Sequence, residues 1–171
     1  MLFVTTLCAV YRPEDWRKIA LLVTAFTVGH SVTLALSALD VIRVPVALVE
    51  LLIPFTIFLT ALYNVSGLSE RTFSVKLHWN YALALFFGLI HGMGFANYFR
   101  GLFGDMGSVV KPLLAFNLGI ELGQLLIVAV FFGFYLALRK IVAIEHRSWN
   151  QFISGAGAGV AVTLILKGMG G

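Results

Sequence analysis

Two histidines and two glutamates sit in stretches that are otherwise apolar: His30, His91, Glu50 and Glu121. A charged group at the centre of a membrane helix costs about 2.5–3.5 kcal/mol on insertion scales. Such a residue is retained where it faces a partner, a cavity or an ion. Neutral imidazole binds nickel, cobalt, zinc and iron, and a carboxylate adds charge neutralisation. The chemistry open to this set is to hold one divalent transition-metal ion, with Met93 as a soft additional donor.

Their spacing supports a shared depth. His30 lies about eleven residues into the apolar run 19–39, His91 about eleven into 80–102, and Glu121 about nine into 112–138. At roughly 1.5 Å per residue, all three fall near the middle of a bilayer. Glu50 is five residues into the run 45–64, nearer one face. Helical periodicity puts Thr27, His30 and Ser37 on one side of their segment. Asn117, Glu121 and Gln124 follow at i, i+4 and i+7 on another. Ser31 is a further polar neighbour, but adjacent positions do not face each other, so it is no nucleophile for His30. Pro54 cannot donate the bond that the Glu50 carbonyl would accept, which leaves an oxygen suited to a cation or water.

Other uses of the same residues stay open. The polar groups could hydrogen-bond one another and tie the helices together. They could also hold a metal-bound water for hydrolysis inside the membrane. No short pattern such as His-Glu-x-x-His is present, and no serine or cysteine nucleophile has a base at hand, so the reading leans away from an enzyme. The single cysteine, Cys8, can form no internal disulfide. Trp16, Trp79 and Trp149 lie at segment ends and read as interfacial anchors.

The elements that must position these groups are membrane helices. The chain of 171 residues is 60% hydrophobic and only 12% charged, against about 25% charged in soluble domains. The expected fold is one all-α membrane domain over 1–171, a polytopic bundle of about six transmembrane helices near 1–11, 19–39, 45–64, 80–102, 112–138 and 149–166. The first is too short to cross and has no basic stretch before it, so it reads as the truncated second half of a helix rather than a signal peptide. The net charge of +4 does not indicate nucleic acid, because the basic residues lie between the apolar runs. Eight Lys and Arg residues follow segments one, three and five, and four lie on the other side. That bias predicts a multi-pass protein of the cytoplasmic membrane with its C-terminus outside. Gly88 and Gly92, Gly119 and Gly123, and Gly155 and Gly159 are each four apart, a spacing that predicts close helix packing. A bundle this short often pairs, so a homo-oligomer is an expectation beside the lipid bilayer itself.

Three stretches carry a resemblance: Phe26-Thr27-Val28-Gly29-His30-Ser31, His91-Gly92-Met93-Gly94-Phe95-Ala96, and Phe116-Asn117-Leu118-Gly119-Ile120-Glu121-Leu122-Gly123-Gln124. In this order, with Glu50 between the first two, they resemble the HupE/UreJ family of hydrogenase and urease accessory membrane proteins over nearly the whole chain. The family usually carries an Asp-His pair directly before a run like Met1-Leu2-Phe3-Val4, and that pair is not in this sequence. The resemblance implies a divalent transition-metal cargo, nickel or cobalt before zinc, and a permease as the first expectation. A non-transporting accessory protein for metalloenzyme maturation comes second and an intramembrane metal-dependent hydrolase third.

Overall fold

A computed structural model describes residues 1–67, 77–103 and 110–170. Apolar runs of this length can satisfy their backbone groups in lipid only as helices, and every long element is one. Helix α1 is Leu2–Cys8, α2 Trp16–Ala38, α3 Val46–Val65, α4 Leu77–Phe103, α5 Val110–Val142 and α6 His146–Met169, with a 3-10 turn at Pro13–Asp15 before α2. No strand occurs among the described residues. Helices α2, α3, α5 and α6 are long and apolar enough to cross a membrane. The protein is an all-α membrane bundle.

The closest pairing is between α2 and α4. Small residues make it: a β-carbon on Gly29 would collide with the Leu85 carbonyl, one on Gly88 with that of Phe26, and one on Gly92 with His30 and Thr33. The contacts Phe26–Gly88 and His30–Gly92 advance together along both chains, so α2 and α4 run parallel. Thr33 closes the seam by donating to the Leu89 carbonyl at 2.7 Å. Helix α3 packs on α6, and α5 packs on α2.

Two expectations from glycine and tryptophan are corrected here. Of the three spaced glycine pairs, only Gly88 and Gly92 meet another helix; Gly119, Gly123, Gly155 and Gly159 have open space where a side chain would stand. The pattern is the same, but at these four positions no other helix comes within contact among the described residues. In α6 it is Gly157 that is used, since a β-carbon there would come within 2.5 Å of the Thr6 hydroxyl. Trp16 and Trp79 are exposed, whereas Trp149 is only 5% exposed and packs on Phe131 and Tyr135. It is a core residue, not an interfacial anchor.

Helix α1 is short, about 10 Å at 1.5 Å per residue, yet Phe3, Val4, Thr6 and Cys8 are all buried. Side chains from α3 and α6 hold it. Asn64 donates to the Thr6 carbonyl at 2.7 Å and to the Ser154 hydroxyl at 3.2 Å. Ser154 donates to Asn150 at 3.0 Å, and Asn150 donates to the Asn64 carbonyl at 3.3 Å. This network ties three helices with every named group paired.

Candidate functional site

The seam between α2 and α4 places His30 and His91 in one aromatic environment. The Phe26 ring lies 6.1 Å from that of His30 and 5.2 Å from that of His91. Phe3 of α1 stands 4.8 Å from His91, and Phe95 stands 5.4 Å from His30. His30 is 2% exposed.

Three of their nitrogens are among eight buried side-chain atoms that have no hydrogen-bond partner among the described residues. His91 Nδ1 is 2.8 Å from the Phe87 carbonyl, an acceptor, so this nitrogen carries the hydrogen and Nε2 offers its lone pair in the neutral ring. Nε2 of His91 is buried with no hydrogen-bond partner. Neither ring nitrogen of His30 has one. A buried polar atom left unpaired costs about 1–3 kcal/mol, so three together are not a stabilising device. The Asn64–Ser154–Asn150 network shows what the structural use of polar groups looks like in this fold, and the histidines do not follow it.

The two glutamates stand elsewhere. Glu121 on α5 accepts a hydrogen bond from Thr24 at 2.7 Å, and Gln124 accepts one from Thr27 at 3.1 Å. Thr24 is six residues before His30, about 9 Å along the helix axis. Glu50 is exposed and lines a cavity of about 140 Å³ with Ser37, Met93 and Phe95. Among the described residues no three His, Cys, Asp or Glu side chains gather as a metal cluster. The expected convergence of His30, His91 and Glu121 on one point is therefore corrected to a pair of imidazoles with carboxylates to either side. The reason is register: the Thr24 and Thr27 hydroxyls capture the polar face of α5 below the level of His30.

Of the other polar residues, Ser31 donates to the Thr27 carbonyl at 2.7 Å and is spent within its own helix. Asn117 is half-buried on α5, its buried Oδ1 unpaired. Sequence reasoning missed Thr24, which answers Glu121, and the ring set Phe3, Phe26 and Phe95 around the imidazoles. Thr24 could have been found as the position one turn before Thr27 on the same face. The phenylalanines could not, among the 15 of the chain.

Taken along α2, Ser37, His30, Thr27 and Thr24 form a file of polar groups over thirteen residues, about 20 Å. The Glu50 cavity meets it at one end and Glu121 at the other. Two neutral nitrogen donors fit a borderline transition-metal cation. They fall short of the three or four protein ligands of a resident zinc centre. The arrangement suits an ion held in passing.

No curated protein and no solved structure matches the chain. The family model described as HupE / UreJ protein matches residues 1–168. With that match over nearly its whole length, the chain belongs to the HupE/UreJ family of integral membrane proteins.

Proposed function

We propose that the protein carries a divalent transition-metal cation, nickel or cobalt, across the cytoplasmic membrane. The single observation behind this reading is the pair of buried imidazoles with three unpartnered ring nitrogens. The cation is cargo. It is collected at Glu50, loses water to the His30 and His91 nitrogens, and leaves past Gln124 and Glu121. The carboxylates supply the negative charge that neutral imidazoles lack, before and after the central step. The Lys and Arg bias supports an orientation with the Glu50 end and the C-terminus outside.

The test is uptake of nickel or cobalt by cells making full-length protein. His91→Ala and His30→Ala should each lower uptake at least tenfold while the protein inserts normally. Uptake at the wild-type rate in both would end this reading. A non-transporting accessory protein is favoured instead by purified protein that binds nickel through these histidines but gives cells no uptake. A hydrolase would need a third ligand at the imidazoles, and none stands there among the described residues.

A further inference from the structure

At the end of the bundle that carries Arg12 and Arg139, a charged cavity adjoins an apolar groove. The cavity, about 580 Å³, is lined by Arg12, Glu14, Tyr135, Arg139, Glu145 and His146. The two guanidinium and two carboxylate groups around this cavity are exposed and stand in no ion pair among the described residues. His146 is anchored through Nε2, 3.1 Å from the Val10 carbonyl, and its buried Nδ1 has no partner. Two cationic and two anionic side chains around one cavity are complementary to a group that carries both charges.

The groove, about 260 Å³, runs between α2 and α5, lined by Trp16, Ile19, Ala20, Leu125, Val128 and Phe132. Pro13 lines both spaces. On α5 the positions 125, 128, 132, 135 and 139 form one helical stripe, apolar toward the middle of the membrane and ending in a guanidinium. A polar cavity of ligand size and an apolar groove that meet at Pro13 match the two parts of an amphiphile with a charged head. Exposed Trp16 beside it marks the level of the lipid headgroups.

We propose that this is a binding site for one aminophospholipid, phosphatidylethanolamine in chemical class. Arg12 and Arg139 take the phosphodiester, for which guanidinium is the best-matched side chain. Glu14 and Glu145 accept hydrogen bonds from the ammonium, and one acyl chain lies in the groove. A choline headgroup has no N–H to give these carboxylates, and a net anionic headgroup meets their repulsion. The groove ends at Ala20 and Leu125, beside Gln124 and one turn from Thr24, so the chain would back the seam that holds Glu121. The proposal is independent of the metal reading.

The experiment is native mass spectrometry of the full chain, extracted into mild detergent from vesicles of equimolar phosphatidylethanolamine, phosphatidylcholine and phosphatidylglycerol. Wild type should retain one phosphatidylethanolamine per chain at least fivefold over either competitor. Arg12→Gln with Arg139→Gln should lose retained phospholipid about tenfold. Glu14→Gln with Glu145→Gln should still retain a phospholipid but no longer prefer the ethanolamine headgroup. Ala129→Trp, which fills the groove and leaves the charges, should also lose it. Retention by wild type in proportion to vesicle composition overturns the proposal, and needs no variant to fold. Thermal stabilisation by inorganic phosphate alone, equal to that by the lipid, also overturns it, because the site would then hold a free anion.

Discussion

An imidazole buried without a partner lowers the stability of the fold that contains it, and this makes His30 testable apart from any transport assay. Replacing His30 by Leu keeps similar bulk and removes two unpaired nitrogens. We expect His30→Leu to unfold no more easily than wild type while metal binding is lost. Asn64→Leu should behave in the opposite way. It removes the donor to Thr6 and Ser154, and leaves those acceptors facing an apolar group. Interhelical hydrogen bonds in membranes are worth about 0.6–2 kcal/mol, so a loss of about 1–2 kcal/mol is expected, measured by reversible unfolding in mixed micelles. If His30→Leu is the more damaging change, the histidines are structural after all. The histidines and glutamates could be seen in the sequence because a titratable side chain in an apolar run stands out by type alone. Their partners could not. Thr24, Phe26 and Phe95 are ordinary residues for a membrane helix, and only the register of α2 against α4 and α5 gives them a role.

Among the helices, the apolar runs announce each element, because hydrocarbon admits no other backbone. What the runs leave open is which face meets which neighbour. The same four-residue glycine spacing occurs in α4, α5 and α6, and it is used for packing in α4 alone. Backbone contact at Gly92 leaves no room for even a methyl group: the added carbon would collide with the His30 carbonyl and the Thr33 hydroxyl. Gly92→Ala should therefore force α2 and α4 apart and cost about 1–3 kcal/mol, the range for overpacking. Gly119→Ala and Gly155→Ala meet nothing and should be neutral within about 0.5 kcal/mol, as surface substitutions are. Comparable losses at all three positions in a monomeric preparation would mean that α5 and α6 pack against helices in a way the fold does not display. The position of α1 was also beyond the reach of periodicity. Seven residues give too short a pattern to orient, and the helix is held by Asn64 of α3, distant in sequence, while His146 of α6 holds the carbonyl of Val10 just beyond it.

For the whole molecule, the question is from which side the imidazoles can be reached. Phe95 lines the Glu50 cavity and also packs on His30. Cys8 is buried and can be removed by Cys8→Ala, so single cysteines report access cleanly. In that background, a charged, membrane-impermeant thiol reagent added outside should modify Glu50→Cys quickly, since that position is exposed. His30→Cys should react slowly, because the site is 2% exposed behind the phenylalanine. Shortening the ring by Phe95→Ala should raise the His30→Cys rate at least tenfold and leave the Glu50→Cys rate unchanged. An equal rate for His30→Cys with and without Phe95 would mean that the cavity does not lead to the imidazoles, and the polar file along α2 would then be two separate features. Modification of Glu50→Cys only from the inside would invert the proposed orientation while leaving the route intact, because the file of Ser37, His30, Thr27 and Thr24 joins the Glu50 cavity to Glu121 whichever end faces outside.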